Sequence, residues 1–167
     1  MLGRGLAAAA AAAVLDQAAK AMVLAYFGET GCAPHRVAVN PVLDLVLTCN
    51  AGVSFGLFNR AGVNALVFSL FAALIIVVLL FWLVRVRTNF LALAIGLVAG
   101  GAIGNVVDRL RFGAVIDFLY FHAGSWYWPA FNLADGAICL GVAAMLLDGM
   151  LLRRAPSQAK GREDISP

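Results

Sequence analysis

Residues 64–84, NALVFSLFAALIIVVLLFWLV, contain no charged side chain. A helix that crosses the hydrocarbon core of a bilayer, about 30 Å thick, needs roughly 20 consecutive apolar residues. This stretch meets that length. It therefore predicts a transmembrane helix, for which the bilayer is the solvent.

Three further stretches have the same character. Residues 88–107 are uncharged, while residues 6–27 and 131–152 are apolar with a few ionisable side chains. The turn between the stretches 64–84 and 88–107 is short, and its charged residues are Arg85 and Arg87. These two spans should therefore form an antiparallel hairpin. The predicted fold is an all-α membrane protein with four transmembrane helices at about residues 6–27, 64–84, 88–107 and 131–152.

The composition supports one membrane domain. Of the 167 residues, 63% are hydrophobic and 13% are charged, whereas soluble domains are about half apolar and about a quarter charged. The domain should cover residues 1–152, and the polar residues 153–167 should form a disordered tail. The net charge of +3 is not gathered into a dense basic face, so we expect no nucleic-acid partner.

The stretch at residues 6–27 has a competing interpretation. Arg4 and the alanine-rich run behind it resemble a secretory signal with a small-residue cleavage site. The apolar run nevertheless continues past Lys20 to Phe27 and so reaches spanning length. We therefore favour a retained first helix.

The basic residues predict the orientation, because the flanks of cytoplasmic loops are enriched in Lys and Arg. If four spans alternate, both termini should be cytoplasmic, and residues 28–62 and 108–130 should face outward. The basic residues on the predicted cytoplasmic side are Arg4, Arg85, Arg87, Arg153, Arg154, Lys160 and Arg162, against Arg36, Arg60, Arg109 and Arg111 on the other.

The first outer segment should contain a short β element. Residues 37–48 are rich in β-branched side chains and have turn-forming residues around them. Cys32 and Cys49 flank this element and either form a disulfide or stay free. Cys139 lies in an apolar run and should be a small packed hydrophobe. The two histidines, His35 and His122, are expected in loops as solvated residues.

Several ionisable residues lie where the spans are predicted, and each costs about 2.5–3.5 kcal/mol at the centre of a bilayer unless it faces a partner or water. Asp16 and Lys20 lie one helical turn apart and can neutralise each other. They can also point into the bundle and hold the functional region, or Lys20 can act as a general base. Asp108 and Arg109, taken alone, are interfacial residues that end the third span. Two further acids, Asp44 and Asp148, are expected to be interfacial or structural.

Asp117 and Asp135 are the acids most suggestive of chemistry. Each lies in an apolar sequence at an outer end of a span, so both should reach the same depth. Two carboxylates held close in an apolar setting share a proton, because burial and like charge both raise a pKa. Aspartic proteases use this arrangement, with Asn132 as a nearby donor here. From spacing alone, a cation site or a structural cluster is equally compatible.

Four stretches together resemble the lipoprotein signal peptidases, the type II signal peptidases of bacteria, in order, spacing and position relative to the spans. They are LDQAAK at residues 15–20, NAGVSFG at 50–56, GGAIGNVVDR at 100–109 continuing through GAVIDF at 113–118, and FNLAD at 131–135.

This resemblance implies a function and a site. Such enzymes remove the signal peptide of diacylglyceryl-modified prolipoproteins, cutting before the lipidated cysteine at the outer face of the inner membrane. The family uses no metal or cofactor and is inhibited by globomycin. The catalytic aspartates fall on Asp117 and Asp135. The residues that shape the site or hold substrate fall on Asp16, Lys20, Asn50, Gly52, Gly104, Asn105, Asp108, Arg109, Asn132 and Ala134.

The departures from the family pattern are small. Val53 and Ser54 stand where many members carry alanine, and the role of residues 31–35 is open. Other functions remain as alternatives: a serine peptidase with Ser54 and Lys20, a metalloprotease, and a small ion-coupled membrane transporter. The metalloprotease is the weakest of these, because the chain has no His-Glu-x-x-His motif.

Overall fold

The computed structural model describes residues 1–51 and 61–154. Within them, four helices are long and apolar enough to cross a membrane, as the sequence predicts. They are α1 Leu2–Phe27, α2 Ala61–Leu83, α3 Asn89–Phe112 and α4 Leu133–Arg154. Residues 153 and 154, predicted to begin the tail, are the last residues of α4, and the rest of the predicted tail lies outside the described residues.

The third helix is longer than predicted. It does not stop at Val107 but continues to Phe112, and Gly113 ends it in the left-handed conformation at φ 74°. The predicted stop was wrong because Asp108 is fully buried and has partners inside the bundle. A charged residue that is paired in this way need not mark the water interface.

Helix α3 is the centre of the bundle and packs against the other three helices. Its glycines make close approach possible: a Cβ at Gly100 would collide with the backbone of Ala9 on α1, and one at Gly101 with the carbonyl of Ala134 on α4. Small residues serve the same purpose in other membrane bundles. Helix α1 is thus an integral member of the bundle. Cys139, by contrast, is free and exposed rather than packed.

One end of the bundle, which we call the sheet end, carries a four-stranded antiparallel sheet in the order β1-β2-β3-β4. Its strands are β1 His35–Asn40, β2 Leu43–Asn50, β3 Val115–Ala123 and β4 Trp126–Tyr127. The β element predicted before α2 is confirmed as β1 and β2. Strands β3 and β4, between α3 and α4, were not predicted. Both histidines lie on strands, not in loops.

The sheet is fastened to α1 in two ways. Leu47 and Ile116, both fully buried, pack against Val23 of α1. A disulfide joins Cys32 to Cys49, which settles the question that the sequence left open. Residues 31–35 thereby form the link from α1 into the sheet.

Polar contacts strengthen this link and also join the strands to one another. His35 lies 2.8 Å from Glu29 and stacks on the ring of Phe27. Asp44 is buried and accepts hydrogen bonds from Arg36 and His122, which bears out its structural role. Burial alone would raise the pKa of Asp44, but the hydrogen bonds with His122 and Arg36 outweigh it and lower that pKa.

Candidate active site

Asp117 and Asp135 reach the same end of the bundle from different elements. Asp117 lies on β3 and is 2% exposed, and Asp135 lies in the first turn of α4. Strand β3 follows α3 directly, while β2 pairs with β3 so that Thr48 lies opposite Asp117. The sheet therefore fixes one carboxylate and the helix start fixes the other.

Asn132 connects the two aspartates and is fully buried. Its Nδ2 donates to Oδ1 of Asp117 at 2.7 Å, and its Oδ1 accepts the backbone N–H of Asp135 at 2.9 Å. Oδ2 of Asp135 in turn accepts the backbone N–H of Asn132 at 3.3 Å. This reciprocal pair is a capping box at the start of α4, with Asp in the place usually taken by Glu. Helix capping thus also orients the carboxylate of Asp135.

Asn105 of α3 is the second amide of the site. Its Nδ2 donates to Oδ1 of Asp135 at 2.9 Å, and its Oδ1 lies 3.3 Å from Nδ2 of Asn132. The same Oδ1 accepts from Nζ of Lys20 at 3.3 Å. Asn105 therefore joins the aspartates to a buried cluster of charges behind them.

Lys20 is the centre of that cluster. Its Nζ lies 2.7 Å from a carboxylate oxygen of Asp16 and 2.7 Å from one of Asp108, and all three side chains are at most 2% exposed. The pair predicted on α1 is therefore part of a triad, and it points into the bundle. The interpretation of Lys20 as a general base is disfavoured, because its Nζ donates to two carboxylates and a base must present a free lone pair.

Asp16 supports the start of α4. Its Oδ1 accepts the backbone N–H of Ala134 at 2.9 Å, so a side chain of α1 satisfies one of the free N–H groups of α4. The negative charge also suits a helix N-terminus. Gly104 must lack a side chain here, because a Cβ would lie 2.6 Å from Oδ2 of Asp16.

Asp108 and Gln17 fix the start of β3. Asp108 accepts the backbone N–H of Ile116 at 3.0 Å, one residue before Asp117. Nε2 of Gln17 donates to Asp108 at 2.8 Å and to the carbonyl of Gly104 at 3.1 Å. The interpretation of Asp108 as an interfacial stop residue was wrong. Gln17 was missed as a site residue, although a polar amide within a span next to Asp16 was a signal that could have found it.

Arg109 lies within reach of the charges of Asp135, Asp108 and Asp117. Its NH1 donates to the carbonyl of Asn105 at 3.2 Å, and its guanidinium lies 5.8 Å from the ring of Phe68. Lys20, rather than Arg109, forms the ion pairs with Asp16 and Asp108. Asn50, at the end of β2, hydrogen-bonds to Asp117 as part of the site. Gly52, Val53 and Ser54 lie outside the described residues.

The surroundings of Asp117 make it a weaker acid. Burial in the first place, and then the charge of Asp135, raise the pKa of Asp117 from its usual 3.8 to about 6. Hydrogen bonds with Asn50 and Asn132 act in the opposite direction. The site therefore holds one carboxyl group that keeps its proton to a higher pH than an ordinary aspartate does.

Fold and site together define a membrane-spanning protein with a linked pair of carboxyl groups at the end of its bundle. The chain matches the sequence model of the signal peptidase (SPase) II family over residues 8–151. It therefore belongs to the signal peptidase II family.

Similar proteins agree with this assignment. A lipoprotein signal peptidase of Nitrobacter hamburgensis is 43% identical over 157 residues, which are 90% of this chain and 93% of the relative. One from Rhodopseudomonas palustris is 43% identical over 88% of this chain and 92% of its own.

Two solved structures described as bacterial membrane enzymes share the fold. Their TM-scores are 0.70 and 0.73, each at 23% identity. The first covers 98% of this chain and 95% of its own, and the second covers 89% and 93%.

Proposed function

We propose that this protein is an aspartic endopeptidase that removes the signal peptide from diacylglyceryl-modified prolipoproteins, cutting before the lipidated cysteine. Family membership supports the peptidase activity, and the names of the relatives support the substrate. The observation that carries the mechanism is the Asn132 bridge between Asp117 and Asp135.

In this mechanism the two aspartates share one proton. Asp135, whose two oxygens accept hydrogen bonds from Asn105 and Asn132, takes a proton from a water molecule. The water oxygen attacks the scissile carbonyl carbon while Asp117 gives its proton to the carbonyl oxygen. Return of that proton and transfer of the other to the amide nitrogen break the C–N bond. No covalent enzyme intermediate forms.

The proposed location follows from the substrate and from the charges. A lipid-anchored scissile bond lies at a membrane surface, and the sheet end carries the site. The distribution of basic residues favours cytoplasmic termini, so the sheet end faces outward from the bacterial inner membrane. The site residues Asn50, Gly52, Gly104, Asn105, Asp108, Arg109 and Ala134 are proposed to shape the pocket or hold substrate, and globomycin is expected to compete there.

The alternative functions have less support. An ion-coupled transporter is not favoured by membership of a peptidase family. A serine–lysine mechanism would need Lys20 as the base, but its Nζ is bound to Asp16 and Asp108.

Cleavage of a diacylglyceryl-modified prolipoprotein by purified protein tests the proposal. Asp117→Asn and Asp135→Asn should each reduce kcat/KM to background, since neither asparagine can exchange the proton. Asp148→Asn is the matched control, because Asp148 lies on α4 far along the helix from Asp135, and it should cleave normally. Ser54→Ala should also cleave.

Two results would count against the mechanism. Cleavage by either dyad variant would exclude the shared-proton role of that aspartate. Loss of cleavage in Ser54→Ala with retention in Asp117→Asn would favour a serine nucleophile instead. Far-UV circular dichroism of each variant in detergent checks that the fold is kept.

A further inference from the structure

The hairpin formed by β3 and β4 carries three consecutive aromatic residues that are mostly exposed. Trp126, Tyr127 and Trp128 have relative exposures of 57%, 63% and 56%. Aromatic side chains dominate the energetics of buried surfaces, so an exposed group of three indicates an interaction site.

The backbone that carries these three aromatic residues is held by hydrogen bonds. Ala123 pairs with Trp126 and His122 pairs with Tyr127 across the two-residue turn at 124–125. Gly124 has φ 61°, as such a tight hairpin turn requires. The backbone N–H of Trp128 also donates to the carbonyl of Phe121 at 2.8 Å. The fold therefore holds these side chains outward.

The hairpin lies between two spans. Strand β3 begins at Val115, just after α3 ends at Phe112, and α4 begins at Leu133, shortly after Trp128. Helix α3 has 24 residues, so it is about 36 Å long at 1.5 Å per residue, against a hydrocarbon core of about 30 Å. The end of α3 thus reaches the headgroup layer, and the hairpin follows that end after two residues.

The chemistry of the hairpin fits that layer. Trp and Tyr join an apolar ring to a polar N–H or O–H and gather at the membrane–water interface. The rings of Trp126 and Trp128 are 6.4 Å apart, and Tyr127 stacks on Tyr120 with centroids 6.3 Å apart. The guanidinium of Arg36 lies 5.0 Å from the ring of Tyr120, and 61% of its side chain is exposed.

This arginine suits an anionic headgroup. Its Nε donates to Asp44, and a guanidinium has four further N–H donors. Phosphate oxygens accept such donors in a fork-like arrangement. A cation on Tyr120, which stacks on the exposed Tyr127, is the pattern expected of a surface that binds lipid headgroups rather than the hydrocarbon core.

We propose that residues 126–128 form an interfacial anchor that binds the phospholipid headgroup layer. Because β3 carries Asp117 and is paired with β4, the anchor fixes the depth of that aspartate relative to the membrane surface. The proposal depends on the four helices spanning the membrane and is independent of the peptidase activity.

Depth-resolved fluorescence quenching tests the anchor. The chain has three tryptophans, so Trp82→Phe leaves only Trp126 and Trp128 as reporters. This variant is placed in phosphatidylcholine vesicles that carry bromine at a shallow or a deep position of the acyl chain. We expect a larger loss of emission with shallow bromine than with deep bromine, and weaker quenching by acrylamide than for free tryptophan.

The control moves the reporter to the middle of a span. Phe71→Trp, with the three native tryptophans replaced by Phe, reports from an exposed position of α2 and should show the reverse order. If the hairpin reporters respond to acrylamide like free tryptophan and ignore bromine, they face water and the proposal is wrong. If they respond to neither quencher, protein covers them, as a second copy or a bound peptide would, and the proposal is equally wrong.

Discussion

At the scale of single residues, the site depends on amides as much as on acids. Asn132 gives a donor to Asp117 and an acceptor to the backbone of Asp135. An amide does not titrate, so this geometry holds while the aspartates change charge. A carboxylate in place of Asn132 would add a further negative charge to a buried pair.

The raised pKa of Asp117 predicts the pH dependence of cleavage. The mechanism needs Asp117 protonated, so kcat/KM should fall as the pH rises through about 6, where this group loses its proton. Removing the Asn50 hydrogen bond removes a contact that lowers the pKa of Asp117, so Asn50→Ala should move the falling limb to higher pH. The measurement is a pH profile of kcat/KM for both proteins, and a limb that stays fixed or moves to lower pH would contradict the assignment.

At the scale of elements, the sequence predicted the helices whose existence depends on the length of an apolar run. All four spans were found, and the apolar run that begins at Phe131 placed Asp135 one turn into the last span. The extension of α3 to Phe112 was missed because a charged residue such as Asp108 usually indicates the end of a span at the membrane surface. Only its contact with Lys20 shows that Asp108 is buried within the helix bundle. Strand β3 was missed because it pairs with β2 across a long stretch of chain, which no local pattern encodes, and β4, which pairs with β3, is only two residues long.

The disulfide should stabilise the sheet more than the helices. It closes a segment with a sequence separation of 17. A disulfide that closes a loop of about 15 residues stabilises the folded state by about 3 kcal/mol. Cys32→Ser with Cys49→Ser should therefore speed amide hydrogen exchange in β1 and β2 while leaving α3 unchanged. Cys139→Ser is the matched control, since that thiol is free and exposed. Equal exchange in both variants would show that packing against Val23 holds the sheet without the disulfide.

At the scale of the whole molecule, the buried charges hold three helices together. Lys20 of α1 binds Asp108 of α3, while Asp16 of α1 binds the backbone of α4 at Ala134. A single charge buried in this position would cost free energy through the loss of its hydration, and oppositely charged partners offset that cost. The polar cluster is thus the junction that sets how α1, α3 and α4 meet.

Removing the cation should destabilise this junction strongly. Lys20→Met leaves Asp16 and Asp108 buried without their partner, and breaking a buried pair costs about 3–5 kcal/mol. Unfolding in mixed detergent, followed by circular dichroism, should show that loss, whereas Arg87→Met at the exposed turn between α2 and α3 should change little. Lys20→Met combined with Asp108→Asn should recover part of the stability, and the absence of any recovery would contradict a charge-based cause.

The contact between Asp16 and Ala134 also bears on biosynthesis. Helix α4 is the last span to leave the ribosome, and its first turn is completed by a side chain from the first span. A nascent chain that ends before α4 therefore holds Asp117 without Asp135 or Asn132. Under the proposed mechanism, proteolytic competence should arise only when insertion of the whole bundle is finished, so we expect that an unfinished chain does not cut its neighbours in the membrane.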